Sequence, residues 1–220
     1  MRRRSLGYLM SALLLPPVAI YAGGWATITV EELPDYAVAG QPLELAFTVR
    51  QHGEEAMSGL RASIEGRSGR HRVEARARAG EKAGQYAVSL TLPEPGDWSL
   101  TIRSGFGPSD LTLLPIRAIA PGAAAPAALT DAERGRRLFV AKGCVTCHVH
   151  GTTNEKSMVP GPELTHKRFE AGYLKGWLAN PTRRAGSLYP TLAMPNLSLA
   201  EREIAALVSF LNAEGRSASK

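Results

Sequence analysis

Two cysteines and a histidine within five residues are the groups of this 220-residue chain best suited to chemistry. They form the run Cys144-Val145-Thr146-Cys147-His148, and the sequence contains no other cysteine. A close cysteine pair can serve as a redox-active dithiol, as part of a zinc site, as a small disulfide or as the attachment point of a haem. The residues around the pair decide between these chemistries.

The order C-x-x-C-H favours covalent attachment of one haem c. The two thiols add to the two vinyl groups of the haem, and His148 is then held beneath the iron as a nitrogen ligand. A redox dithiol normally lies at the end of a strand in an α/β pattern, which the sequence around the pair does not show. A zinc site needs about four ligands, and a disulfide that closes so short a loop adds little stability. We therefore predict a haem bound through Cys144, Cys147 and His148.

Residues 130–214 resemble a small monohaem cytochrome c that binds its iron through a histidine and a methionine. The matching features follow one another in the order that this family shows. They are Gly135 and Phe139 in the first helix, the C-x-x-C-H run, Gly161-Pro162-Glu163-Leu164, Tyr173-Leu174, Trp177-Leu178, Met194-Pro195-Asn196-Leu197, and Leu207, Phe210 and Leu211 in the last helix. The resemblance implies an all-α cytochrome c fold for this part of the chain.

The resemblance also implies roles for single residues. The carbonyl group of Pro162 would accept the ring proton of His148 and so orient the ligand. Met194 would be the second axial ligand of the iron, and the indole N–H of Trp177 would bond a haem propionate. Gly135 would let the first and last helices approach closely.

The remaining histidines near the motif are weaker candidates. His150 and His166 are expected at the surface, and His166 is the alternative second ligand if Met194 does not bind the iron. Met158 is the only other methionine after the haem motif, and it lacks the Met-Pro context of Met194.

Local patterns predict three helices after residue 129. Thr130-Asp131-Ala132-Glu133 has the form of a capping box, and its helix should run to about Lys142 and end at Gly143. A second box, Ser198-Leu199-Ala200-Glu201, should start the last helix. A shorter helix is predicted at residues 169–179, before Asn180-Pro181.

Residues 27–119 predict an all-β domain. Partial alternation marks seven strands, at residues 26–32, 43–50, 60–65, 71–78, 85–92, 98–103 and 111–119. Seven short strands separated by turn residues are typical of a β-sandwich. Gln85-Tyr86-Ala87 and Pro95-Gly96-Asp97-Trp98 resemble the YtkA-like or FixH-like immunoglobulin-type domains.

The expected architecture therefore has two domains, an N-terminal all-β immunoglobulin-like sandwich and a C-terminal all-α cytochrome c fold. Residues 120–129, rich in proline and alanine, predict a flexible linker that lets the haem domain swing between partners. Residues 215–220 form a short tail.

Residues 1–26 begin with three arginines, and no charged residue follows between Ser5 and Val30. A basic start followed by an apolar run is typical of a secretory signal peptide, and the run is also long enough for a membrane anchor. Both alternatives place the rest of the chain on the extracytoplasmic side, with membrane association expected.

The net charge of +6 is uneven, since residues 121–220 hold 13 basic and 8 acidic residues. No aromatic-basic motif accompanies this charge, which disfavours nucleic acid as a partner. Anionic lipid and acidic redox proteins remain as partners, and four lysines are expected to surround the haem edge. They are Lys142, Lys156, Lys167 and Lys175.

Two further groups of residues in the β domain are expected to have ordinary structural roles. His52, Met57 and His71 have side chains that suit copper, but their spacing is not that of a ligand set. The five arginines of residues 67–78 predict a solvated strand face rather than a docking site.

The sequence thus predicts an exported carrier of single electrons, with the β domain as a docking or accessory domain for a respiratory redox complex. Two filled axial positions leave no site for a small-molecule substrate, so no enzyme activity of its own is expected. The alternatives are a haem-based sensor with a displaceable Met194, an assembly or metal-delivery factor for an oxidase, and a subunit of a larger oxidoreductase.

Overall fold

The computed structural model describes residues 24–181 and 194–213. Most of the predicted signal or anchor segment and the 215–220 tail lie outside the described residues. Within the described ranges, no helix is both long and apolar enough to cross a membrane.

Residues 26–119, here called the β region, form two sheets. The strands are β1 Ala26–Val30, β2 Tyr36–Val38, β3 Pro42–Gln51, β4 Glu55–Ala56, β5 Ser63–Ser68, β6 His71–Arg76, β7 Arg78–Ala79, β8 Gln85–Thr91, β9 Gly96–Arg103, β10 Asp110–Thr112 and β11 Ile116–Ile119. One sheet has the order β1-β3-β8-β7, with β4 paired to β3. The other has the order β2-β11-β9-β5-β6, with β10 paired to β9. The pairs are antiparallel except β2 with β11.

Both sheets bury alternate residues in one shared core. In β9, for example, Trp98, Leu100 and Ile102 are fully buried, and the residues between them are not. The same core contains Phe47 and Val49 of the other sheet. The prediction of an all-β region before a helical region is confirmed, while its immunoglobulin-like and YtkA/FixH-like type remains a prediction.

Two strands predicted as continuous are each divided in the structure. The chain at residues 71–78 pairs first with β5 as β6 and then, after Ala77, with β8 of the other sheet as β7. The chain at residues 111–119 is interrupted between β10 and β11 at Pro115, which has no N–H to donate. The first division arises because β6 and β7 pair with strands of different sheets. Alternation in the sequence does not reveal which strand a segment pairs with.

Residues 130–213, the helical region, contain α1 Asp131–Ala141, a 3₁₀ turn Cys144–Thr146, α2 Ala171–Ala179 and α3 Glu201–Leu211. The capping box of α1 is formed as expected, because Glu133 N donates to Thr130 Oγ1 and Thr130 N donates to the Glu133 carboxylate. Gly143, with φ of 77°, follows the helix.

The predicted start of the last helix was wrong by two residues. Ser198 has φ of 53° and donates its N–H to Asn196 Oδ1, so it does not cap the helix. Ala200 is the N-cap instead, and its N–H donates to the carboxylate of Glu203. The glutamate half of the capping box is thus present without a hydroxyl partner.

Helices α1 and α3 cross in close contact, as the sequence predicts. A methyl group placed on Gly135 would lie 2.0 Å from the carbonyl oxygen of Ala206, so no other residue fits there. Phe139 packs against Phe210 beside this crossing, with ring centroids 5.7 Å apart. The crossing holds the first and last elements of the helical region together.

The β region and the helical region share an extensive interface. Val140 and Ala141, at the end of α1, pack into the core of the β region. Arg134 makes two hydrogen bonds to the carboxylate of Asp35, at 2.7 and 2.9 Å. The 120–129 segment therefore joins two packed regions in this structure, which differs from the independently swinging domain expected from its composition.

Lys142 lies in this interface, and its predicted place at an exposed haem edge was wrong. Its side chain is 6% exposed and its ammonium group is 2.8 Å from the Glu203 carboxylate. The same ammonium donates to the carbonyl oxygen of Glu31 at 2.8 Å. Lys142 is buried because its ammonium group, at the C-terminal end of α1, meets the carboxylate of Glu203 from the helical region and the carbonyl oxygen of Glu31 from the β region.

We expect Lys142→Met to destabilise the folded chain by about 3 kcal/mol, because it leaves the carboxylate of Glu203 without its cation. Lys175→Met is the matched control, since Lys175 also pairs with a glutamate of α3 but in an exposed position. Its loss should cost less than about 1 kcal/mol. Urea unfolding measures both, and equal losses would contradict a special role of the buried pair.

Candidate functional site

The cysteine pair lies on a tight turn directly after Gly143. The N–H of Cys147 donates to the carbonyl oxygen of Cys144 at 3.1 Å, and the N–H of His148 donates to the same oxygen at 2.8 Å. The turn therefore gathers two thiols and one imidazole within one short piece of backbone. Both cysteines are free thiols, each partly exposed.

Desolvation sets the protonation states of this turn. It raises the pKa of Cys144 to about 12, with a smaller contribution from neighbouring Cys147, and it also raises the pKa of Cys147. Desolvation lowers the pKa of His148. The pair is thus protonated at neutral pH, unlike a redox-active dithiol, which needs a lowered thiol pKa. The imidazole is neutral, as an axial ligand must be.

The ring of His148 is fixed by the loop at residues 161–162. Its Nδ1 donates to the carbonyl oxygen of Pro162, 2.9 Å away, which leaves Nε2 as the nitrogen available to a metal. Gly161 makes this contact possible, because a methyl group there would lie 2.3 Å from the carbonyl oxygen of Cys147. The Gly-Pro pair thus brings its backbone against the cysteine turn and aims one carbonyl at the histidine.

Met194 lies against helix α2. The indole Nε1–H of Trp177 donates to Met194 Sδ at 3.1 Å, and the methionine packs with the apolar core of the helical region. The indole was expected to bond a haem propionate, and in this structure its partner is the sulfur atom instead. Met158 lies elsewhere, 44% exposed and near Ser109 of the β region. The structure thus separates the two methionines that follow the motif.

The prediction that His150 lies at the surface was wrong. Its side chain is 1% exposed and lies 4.4 Å from the ring of Phe210 and 5.8 Å from that of Phe139, measured between centroids. Thr152 Oγ1 lies 3.0 Å from its Nδ1. Phe210 is far from His150 in sequence, and Phe139 lies in the preceding helix. The sequence alone therefore does not reveal that His150 is buried. His166 is exposed, as expected.

The donor set fits a haem c. The turn offers two unpaired thiols and an oriented imidazole, and the α2 side offers a thioether. Within residues 24–181 and 194–213, no group of three or more His, Cys, Asp or Glu side chains could hold a metal ion. That result leaves the zinc alternative without support in the part of the chain that the structure describes.

The copper candidates of the β region have separate surroundings. Met57 is fully buried in the core, His71 lies 3.2 Å from the Glu94 carboxylate, and His52 packs against the ring of Trp25. Each side chain is thus accounted for by an ordinary contact. A copper site built from these three is not supported.

The arginine-rich strands form an exposed face, as predicted, with Glu65 at its centre. Glu65 is 3% exposed and is bonded by three arginines, which are Arg67, Arg72 and Arg103. These partners lower its pKa to about 2, with the hydrogen bond from Arg67 the largest cause. The arginines therefore neutralise a buried carboxylate.

Comparison with known proteins assigns the helical region. The sequence model of the cytochrome c family matches residues 132–213. None of the curated proteins matches the chain.

Some solved structures share weak likenesses with it. They include surface layer protein SbsC, domains 1–6 (17% identity, 45% of this chain and 13% of that chain, TM-score 0.32), and the PKD domain of the human VPS10 domain-containing receptor SorCS2 (12% identity, 56% and 99%, TM-score 0.26). The chain spans 13% to 51% of the surface-layer chains. At these TM-scores the likenesses assign no fold type and no function.

We expect Gly161→Ala to displace the Pro162 carbonyl from His148, because the added methyl group overlaps the backbone of Cys147. Loss of this hydrogen bond, worth about 1 kcal/mol, should speed exchange of the Nδ1 proton with solvent roughly fivefold. NMR of the reduced protein measures the exchange rate. Gly151→Ala is the control, because a methyl group there meets only the side chain of Thr165. Unchanged exchange in Gly161→Ala would contradict the positioning role of the loop.

Proposed function

Because residues 132–213 are a cytochrome c domain, we propose that the chain is an exported c-type cytochrome that passes single electrons between redox proteins. The family carries a covalently attached haem c, and the domain is a haem-binding electron-transfer module. The observation that carries the proposal at the residue level is the hydrogen bond from His148 to Pro162 beside two free thiols. When bound, the haem supplies an iron that changes between the ferric and ferrous states.

Five residues of the chain have separate roles in this proposal. Cys144 and Cys147 would hold the haem covalently, at the short turn that follows α1. His148 and Met194 would hold the iron, with the carbonyl group of Pro162 keeping the histidine in one orientation. An iron held by a thioether and an imidazole would favour the ferrous state, so a raised reduction potential is expected.

An iron held by both His148 and Met194 would favour electron transfer over catalysis. A substrate or gas would first have to displace Met194, whose sulfur is held on the α2 side by the indole of Trp177. This feature weighs against a haem-based sensor with a readily displaced methionine. It supports a carrier that exchanges electrons with proteins through the haem edge.

The proposed location and partners rest on charge and on the N-terminal sequence. The basic start and apolar run of residues 1–26 support export or anchoring at the extracytoplasmic side of a membrane. Lys156, Lys167 and Lys175 are exposed, although Lys175 pairs with Glu201. This basic character favours acidic redox partners, such as a respiratory complex, and no nucleic acid or small-molecule substrate is proposed.

Replacing Met194 by alanine tests the proposal, with Met158→Ala as the matched control. We expect Met194→Ala to abolish the sulfur-to-iron charge-transfer band and to lower the reduction potential by roughly 0.1 V or more, since axial ligands set haem potentials over a wide range. Met158→Ala should behave as the wild type, with a one-electron redox transition.

Two outcomes would contradict the proposal. If the charge-transfer band survives in Met194→Ala with the haem attached, the sulfur comes from another residue, and Met158 is the next to replace. If the wild type binds carbon monoxide as readily as Met194→Ala does, the second axial position is open, and the sensor alternative is favoured.

A further inference from the structure

The turn between β3 and β4 contacts the loop that carries Met194. A methyl group placed on Gly53 would lie 3.0 Å from Cγ and 3.2 Å from Cβ of Pro195. A small cavity of about 340 Å³ is lined from both sides, by Arg50 of β3 with Gly53 and Glu54 of the turn, and by Pro181, Met194, Pro195 and Asn196. The β region thus reaches the residue next to the proposed second ligand.

The turn is firmly anchored to the sheet. His52 and Gly53 have φ of 51° and 78°, the two successive left-handed residues of a tight hairpin turn. The N–H of Glu54 donates to the carbonyl oxygen of Gln51 at 3.0 Å, and the N–H of His52 donates to the carbonyl oxygen of Trp25 at 3.0 Å. The turn therefore presents a fixed surface.

Burial shows that the contact is close. A hairpin tip is normally exposed, and His52 and Glu54 are indeed exposed. Gly53 between them is buried, and a methyl group placed on it would meet the ring of Pro195 before any other group. The proline ring therefore covers the tip of the turn.

The Met194 loop is consequently held at two points. On the helical side, the indole of Trp177 donates to the sulfur of Met194. From the β region, the turn packs against Pro195. Because Met194 and Pro195 are adjacent, a displacement of the proline ring is transmitted to the methionine through one peptide unit.

We propose that the β3–β4 turn is a positioning element for the second axial ligand. By packing on Pro195 it keeps the sulfur of Met194 at the iron and so resists its replacement by external ligands. This inference rests on the proposed function of Met194. It gives the β region a part in the haem site itself, in addition to any contact with partners.

Gly53→Asn tests the proposal, and Gly59→Asn is its matched control. Both glycines have a φ near 78°, which asparagine tolerates, but a methyl group on Gly59 would meet nothing within 4 Å. We expect Gly53→Asn to weaken the sulfur-to-iron band, to lower the reduction potential and to tighten carbon monoxide binding roughly tenfold, an effect of the size that overpacking causes. Gly59→Asn should match the wild type in all three.

The same substitution made in a second variant, Pro195→Ala, distinguishes a positioning role of the turn from a general loss of stability. In Pro195→Ala the ring atom closest to Gly53 is absent, so adding Gly53→Asn should change the carbon monoxide affinity much less than it does in the wild type. If Gly53→Asn does not fold, Gly53→Ala, which adds one methyl group, is measured in the same way.

The outcomes distinguish this inference from the function on which it rests. If the wild type lacks the sulfur-to-iron band, Met194 is not a ligand and both proposals fail. If the wild type has the band and Gly53→Asn keeps its intensity, potential and carbon monoxide affinity, the ligand assignment stands and the positioning role is overturned.

Discussion

The arrangement of the chain depends on one buried ammonium group, that of Lys142. It meets the carboxylate of Glu203 on α3 and the carbonyl oxygen of Glu31, the residue after β1, both at 2.8 Å. Burying a charge costs several kcal/mol unless it is paired and hydrogen-bonded, so α1, α3 and β1 must meet at this point for the fold to close. Cys144 follows two residues later. The turn that offers the thiols therefore starts from a position that both regions of the chain determine.

The β region is consequently part of the architecture around the proposed haem site. Strand β1 lies at the edge of its sheet, where unpaired backbone groups would invite association with other chains. Its outward residues Thr27 and Thr29 are buried along with its inward ones, and Thr29 Oγ1 lies 3.5 Å from the carbonyl oxygen of Lys142. The helical region thus covers the strand, while the turn at Gly53 reaches back to the methionine loop. A composition typical of a flexible linker gave no sign of this packing.

Features that depend on near neighbours in sequence could be predicted. The capping box of Thr130 and Glu133, the C-x-x-C-H run and the alternation of β9 each involve residues a few positions apart. Features that depend on contacts between residues far apart in sequence could not be predicted. His150 is buried because Phe210 covers it, and the indole of Trp177 faces the sulfur of Met194 rather than a polar group. The Gly-Pro loop is the exception, since a family pattern located a contact that spacing alone would not.

The central proposal is that this chain binds a haem whose iron is held by two of its own side chains, His148 and Met194. The visible spectrum of the protein, purified after expression with a working haem-attachment system, tests it most directly when recorded oxidised, reduced, and reduced under carbon monoxide. We predict a c-type reduced spectrum that carbon monoxide at low concentration leaves unchanged. A protein without haem, or a reduced spectrum that carbon monoxide shifts at once, would contradict the claim.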